Sequence, residues 1–286
     1  MTVETKDLGK LVMELREKTG AGMMDCKKAL EAAHGNLDEA LTSLRKKGLA
    51  DAAKKSARAT REGLVEFALS GSAGAIVELN CETDFVARGD DFRKLCVTLA
   101  QKAASGELKT LEEAKPLVQP VFEKLGENMA LRRIERFELK GAGLIAGYVH
   151  KPDGLVGKKG ALIELSAPNE AAAKSPELAQ LANELLLQIV ASSPKFLDRS
   201  GVPADVIAKE KEIYTEILVK EGKPEASIPK IVEGKINKLF YQANCLLDSM
   251  SVRDNKTPVS ALIEQVGAKL GGKVAVTRFS RYQLGE

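Results

Sequence analysis

The chain has no tryptophan, two histidines and four cysteines in 286 residues, and each scarcity removes a class of function. The cysteines (Cys26, Cys81, Cys96 and Cys245) are scattered and none forms a CxxC pair, so neither a zinc site nor a disulfide framework is expected. With His34 and His150 alone, histidine-based metal or acid–base chemistry has little to work with. No run approaches the 18 consecutive apolar residues of a membrane span, and the first residues, "MTVETKDLGKLVMELREK", lack the apolar segment of a secretory signal. A cytoplasmic protein is the expectation. Charge of one sign is also missing: 43 basic against 40 acidic side chains leave +3, too little to demand an anionic partner. Phosphate-binding loops, HExxH, GxSxG and a strand-borne GxGxxG are all absent, so no enzyme, cofactor or metal is expected.

What is present is periodic. Leu8, Leu11, Val12 and Leu15 follow helical spacing, "TGAG" at 19–22 breaks the pattern, and Ala29, Leu30 and Ala33 resume it. Asn36 stands as the N-cap of a third helix carried by Leu37, Ala40, Leu41 and Leu44, with Glu39 as its capping-box partner. A three-helix unit this small buries little area and suits docking better than catalysis. Residues 45–61 hold seven Lys or Arg against one Asp and read as a solvated linker compatible with helix.

The remainder contains a repeat. "GSAGAIVEL" (71–79) matches "GKKGALIEL" (157–165) at an offset of 86, which also carries Phe92, Leu95 and Leu99 onto Leu178, Leu181 and Leu185. "MALRRIERFEL" (129–139) matches "VAVTRFSRYQL" (274–284) at an offset of 145. Each copy reads strand, strand, helices, strand, with small antiparallel sheets. The fold class is therefore α+β: a docking domain over 1–55, a first core half over 56–140 and a second over 141–286. The second half carries an inserted helical hairpin at about 203–240. Val206, Ile213 and Ile217 on one arm and Ile228, Val232 and Leu239 on the other are its expected apolar stripes.

"CETDFVA" (81–87) follows the strand "GAIVELN", and the repeat places Thr83, Asp84 and Phe85 opposite Asn169, Glu170 and Ala171. The scaffold is duplicated but the Asp-Phe pair is not, which points to presentation rather than folding. The plain alternative makes Phe85 a core residue and Asp84 a helix cap. Met23-Met24 cannot both face one core, so at least one is a contact surface. His150, in the turn "GYVHKPDG", is either solvated or a partner contact.

"LREKTGAGMMDCKKAL" (15–30) and "ELNCETDFVAR" (78–88) resemble the two signature stretches of the bacterial elongation factor Ts family, and the likeness runs on through "GENMALRRIERFEL", "GYVH" and "KPEASIPKIVEGKINKLF". The resemblance implies a guanine-nucleotide exchange factor acting on elongation factor Tu, the GTPase that delivers aminoacyl-tRNA. It implies an N-terminal unit like a ubiquitin-associated domain, two related α+β halves and a projecting coiled coil. It assigns Thr83, Asp84, Phe85 and Val86 to dislodging the partner's Mg²⁺, and Met23, Met24 and His150 to partner contacts. No membrane and no direct nucleic-acid contact are implied. Some members extend past the last strand with a further helical module, whereas this sequence ends in "RYQLGE", so that contact is not expected. Two rivals stand: RNA binding through residues 45–61 and Arg132, Arg133, Arg136, Arg278 and Arg281, and thiol chemistry at Cys81 with His150.

Overall fold

The computed structural model describes residues 5–55 and 58–286. The N-terminal unit comprises α1 (Thr5–Thr19), α2 (Met23–Ala32) and α3 (Leu37–Lys55). Val12, Leu15, Cys26, Leu30, Ala40 and Leu44 interlock at its centre. Asn36 Oδ1 accepts from the backbone N–H groups of Asp38 (3.0 Å) and Glu39 (3.2 Å), so the expected cap forms. The reciprocal half of the box does not, because the Asn36 N–H is already donated to Ala33 O at 2.9 Å. The basic stretch after Arg45 continues α3 as far as Lys55; residues 56–57 of the expected linker lie outside the described residues.

The first half runs β1 (Glu62–Ser70), β2 (Ala73–Cys81), α4 (Asp84–Arg88), α5 (Asp90–Ser105), α6 (Lys115–Leu125) and β3 (Met129–Glu138). The second runs β4 (Gly143–His150), β5 (Lys159–Ser166), α7 (Glu170–Ala173) and α8 (Pro176–Ser192). The hairpin interrupts it, and α12 (Val259–Lys269) and β6 (Ala275–Gln283) complete it. Each half folds into a three-stranded antiparallel sheet, ordered β1-β2-β3 and β4-β5-β6. Within the repeat, α5 and α8 begin 86 residues apart, and the register shifts at Glu78/Leu79 in one sheet and at the matching Glu164/Leu165 in the other.

Every residue of β2 is buried, which requires cover on both faces. Ala75, Val77, Leu79 and Cys81 pack with Phe92, Leu95, Cys96 and Leu99 of α5. Their alternation partner Ile76 packs instead with Phe137, Ile145, Leu162 and Tyr282 between the two sheets. α8 covers the second sheet with Leu178, Leu181, Leu185 and Ile189. The architecture is thus four layers, helix–sheet–sheet–helix, related by an internal pseudo-twofold. Close approach of the sheets explains two matched glycines: a Cβ on Gly74 would lie 2.7 Å from Ile145 Cγ2, and one on Gly160 would lie 3.0 Å from Val65 Cγ1 across the layer, as well as 2.8 Å from Val149 Cγ2 of its own sheet.

Two arginines lock the sheets reciprocally. Arg133 Nε donates to the fully buried Glu78 at 2.6 Å, and its guanidinium lies 4.3 Å from the Tyr282 ring of the other sheet. Arg278 Nε donates to Glu164 at 2.8 Å and lies 4.2 Å from the Phe137 ring of the first sheet. A carboxylate in a low-dielectric layer must be paired, and a planar guanidinium satisfies the charge and the ring together.

The hairpin consists of α9 (Ala204–Lys220) and α10 (Ile228–Lys235), the latter continuing through a π-helical turn at Ile236–Tyr241 into the short α11 (Gln242–Asn244). Its seam corrects the expected stripes. Leu218, Ile228, Val232, Ile236 and Phe240 are buried, with Val206, Ile207 and Tyr214 packed alongside. Ile213, Ile217 and Leu239 are exposed. Two helices alone enclose only a narrow seam, so one apolar row per helix is buried and its immediate neighbours stay in solvent.

Candidate functional site

β2 ends at the buried Cys81, and Glu82 and Thr83 turn the chain outward into α4, whose first two residues are exposed. Thr83 has extended backbone angles (φ −123°, ψ 156°), and its hydroxyl oxygen accepts from Val86 N at 3.4 Å, while Ala87 N donates to Thr83 O at 3.2 Å. The helix cap is therefore Thr83, and Asp84 is the first helical residue. Ala87 is buried and Val86 half-buried against the first core, so these two anchor the five-residue helix. Asp84 is exposed, and Phe85 is 83% exposed, the most exposed of the large hydrophobic side chains of the described residues. The core reading of Phe85 fails. Leaving such a ring in water forgoes roughly 2 kcal/mol of burial, which a partner surface is able to recover.

The turn is held from below. Glu127, between α6 and β3, accepts the Thr83 N–H at 3.0 Å on one carboxylate oxygen and the Thr83 hydroxyl at 2.7 Å on the other. Glu82 reciprocates by accepting from Asn128 N at 2.6 Å. On the far side of α4, Arg88 donates to Asp153 at 2.7 Å, tying the helix to the 151–158 turn of the second half. Asp153 accepts from Val156 N and Leu155 N, both at 3.0 Å. Those two backbone bonds, with the Arg88 guanidinium, hold its carboxyl down at about 2. His150 immediately precedes this turn as the exposed last residue of β4, with Nδ1 3.0 Å from the Tyr148 hydroxyl. α4 and the His150 turn are therefore brought side by side. Met23 and Met24 open α2, 50% and 61% exposed, so neither belongs to the N-terminal core.

Glu82, Arg88, Glu127 and Asp153 were not singled out from the sequence. The available signal was the repeat itself: the offset of 145 puts Gly272 where Glu127 stands.

The thiol reading lacks support in this geometry. Cys81 is fully buried and donates to Thr83 O at 3.1 Å; burial above all, with Glu127 and Glu62 adding, pushes its thiol up to about 12. Nor are the five arginines an open cationic field. Arg132 and Arg133 engage Glu78, Arg136 engages Glu138, Arg278 engages Glu164 and Arg281 engages Glu286. Among the described residues, no group of three or more His, Cys, Asp or Glu side chains is placed to hold a metal ion, and no helix is long and apolar enough to cross a membrane.

Comparison with known proteins bears directly on this surface. The family model described as elongation factor TS matches residues 82–286. Elongation factor Ts of Symbiobacterium thermophilum is 44% identical over 283 residues, covering 97% of this chain and 91% of that protein. The proteins of the same name from Nitratidesulfovibrio vulgaris (strain DP4) and Clostridium botulinum (strain ATCC 19397 / Type A) are 42% and 40% identical, over 96% and 97% of this chain and 95% and 92% of their own lengths. The chain belongs to the elongation factor Ts family. Membership places it among the translation elongation factors, and the model match begins at Glu82, one residue before the Thr83 cap.

Proposed function

We propose that this member of the elongation factor Ts family is a guanine-nucleotide exchange factor for elongation factor Tu, working without covalent chemistry. The observation that carries the reading is Phe85: a ring 83% exposed on a capped, core-anchored turn, beside an exposed aspartate, at a position its own repeat fills with Ala171. Asp84 and Phe85 are the working pair. Thr83 and Val86 hold them, and Met23, Met24 and His150 provide further contacts with the partner.

Mg²⁺ bound to the partner neutralises the diphosphate and is held by few protein ligands. The Phe85 ring inserts into an apolar crevice near that site, and the Asp84 carboxylate competes within the Mg²⁺ surroundings. GDP then loses part of its hold. By linkage, an exchange factor that weakens GDP is weakened by GDP in the same ratio. A buried aromatic anchor contributes about 2 kcal/mol, or roughly thirtyfold. The remaining coupling comes from the N-terminal unit and the second half, which keep the wedge in place.

The test is release of a fluorescent GDP from elongation factor Tu. Wild type accelerates release, and Phe85→Ala lowers the acceleration by about thirtyfold with an unchanged unfolding midpoint, since the side chain is exposed. Asp84→Ala lowers it as well. Equal acceleration by all three proteins moves the working surface elsewhere, and no acceleration by wild type overturns the exchange reading.

A further inference from the structure

We infer that Glu127 is a positioning residue for nucleotide exchange: its carboxylate clamps the Thr83 cap, so that Asp84 and Phe85 leave the first half in one fixed direction. The inference rests on the exchange reading above and adds to it a residue 44 positions away in sequence.

The argument begins with what the turn needs. α4 has only five residues, too few to be stable on its own backbone bonds. An exposed ring at its second position is useful as a wedge only if the turn beneath it does not give way. Thr83 caps the turn, but a threonine hydroxyl is free to rotate and its bond to Val86 N is long, at 3.4 Å. Glu127 removes that freedom. By accepting a hydrogen bond from the hydroxyl at 2.7 Å, its carboxylate leaves the oxygen's lone pairs for Val86 N, and by accepting another from the Thr83 N–H at 3.0 Å it fixes the residue from two sides. The negative charge also lies at the N-terminal end of α4, where it complements the exposed N–H groups. Glu82 doubles the link in the reverse direction through Asn128 N at 2.6 Å.

The second half serves as an internal control. Its matching turn is capped in the same way, with Asn169 accepting from Ala172 N at 2.9 Å. The clamp, however, is gone. Pro168 stands for Glu82 and Gly272 for Glu127, and a Cβ on Gly272 would lie only 2.6 Å from Pro168 Cβ. There the two segments meet with no room for a side chain, and the turn ends in Glu170 and Ala171. Cap and scaffold occur in both halves, whereas clamp and Asp-Phe pair occur together in one. A clamp needed only for folding would have been needed twice.

The test compares wild type with Glu127→Ala, Glu127→Gln and Glu127→Asp in the GDP-release assay, over a range of factor concentrations. Amide hydrogen exchange at Thr83 and Val86 is read on the same intact proteins. Glu127→Ala lowers the release rate at saturating factor by roughly tenfold while the half-saturating concentration stays within about threefold, because docking surfaces elsewhere are untouched and only pre-organisation is lost. The Thr83 and Val86 amides lose protection in that variant. Glutamine, which still accepts from the Thr83 N–H, restores most of the rate; aspartate, too short to reach both donors, does not. If Glu127→Ala fails to fold, the glutamine and aspartate variants decide the same question. A folded Glu127→Ala with the wild-type saturating rate overturns the inference and leaves the exchange reading standing, as does a loss confined to the half-saturating concentration. Failure of wild type itself to accelerate release overturns both.

Discussion

The two halves of the core show what their common fold requires and what it leaves free. Both keep a central strand covered on both faces (all of β2, and Gly160 to Leu165 of β5), a register shift at its buried glutamate, an arginine on that glutamate, and a side-chain cap on the short helix that follows. Each of these meets a cost the four-layer packing would otherwise impose: a buried carboxylate needs a cation, and a helix start needs an acceptor. The halves part company where the chain is in solvent. One turn presents Asp84 and Phe85, the other Glu170 and Ala171. One half closes directly through α6, whereas the other sends out the hairpin of α9 and α10 before closing. Duplication thus preserved the packing and left the exposed turns free to diverge.

The largest effect expected on that comparison is in its shared part. Arg133→Met strips the main partner from a fully buried Glu78 and should cost about 3 kcal/mol in urea unfolding. Its counterpart Arg278→Met should cost about 1 kcal/mol, because Arg278 is 43% exposed and solvent screens the pair. Equal losses would show that exposure does not separate the two locks.

The next effect breaks the comparison deliberately. Moving the ring across the repeat, as Phe85→Ala with Ala171→Phe, puts an exposed aromatic on the equivalent turn of the wrong half. GDP release should remain about thirtyfold slow, since the turn carrying it lacks the clamp and the neighbouring contacts. Recovery of the wild-type rate would mean that either half can present the wedge.

The smallest effect lies where the halves meet. Asp153, held at about 2 against an ordinary value of 3.8, favours the folded state with its charge. A depressed folded value means this contribution is complete above pH 4 and disappears as the pH falls through about 2. The Asp153 carboxyl carbon should titrate near 2 by NMR, with the Arg88 link loosening in the same interval. A midpoint near 4 would show that the 151–158 turn is not ordered around Asp153.

Much of this was legible in the chain itself. The offset of 86 predicts where α8 lies relative to α5, and Phe92, Leu95 and Leu99 with their counterparts Leu178, Leu181 and Leu185 are all buried. Asn36 caps the helix it should, and both members of the Met23-Met24 pair are exposed. The hairpin seam was legible only in part: Val206, Ile228 and Val232 join it as expected, whereas Ile213, Ile217 and Leu239 do not, because several apolar residues lie side by side on each arm. Ile213, Ile217 and Leu218 are equally hydrophobic, and only the facing helix selects Leu218. The clamp was invisible for another reason: glutamate is common in this chain, and nothing local marks Glu127 as the one that meets Thr83.

Sequence alone therefore determined the elements, the duplication, the family and the odd pair at Asp84-Phe85, since periodicity, repetition and short motifs are written along the chain. Tertiary structure decided which row of the hairpin helices is buried, that Arg133 and Arg278 cross to each other's sheets, and that Glu127 comes up beneath Thr83. Those facts depend on residues distant in sequence meeting at distances of a few ångströms. Such meetings are set by how whole layers pack, and no single segment encodes them.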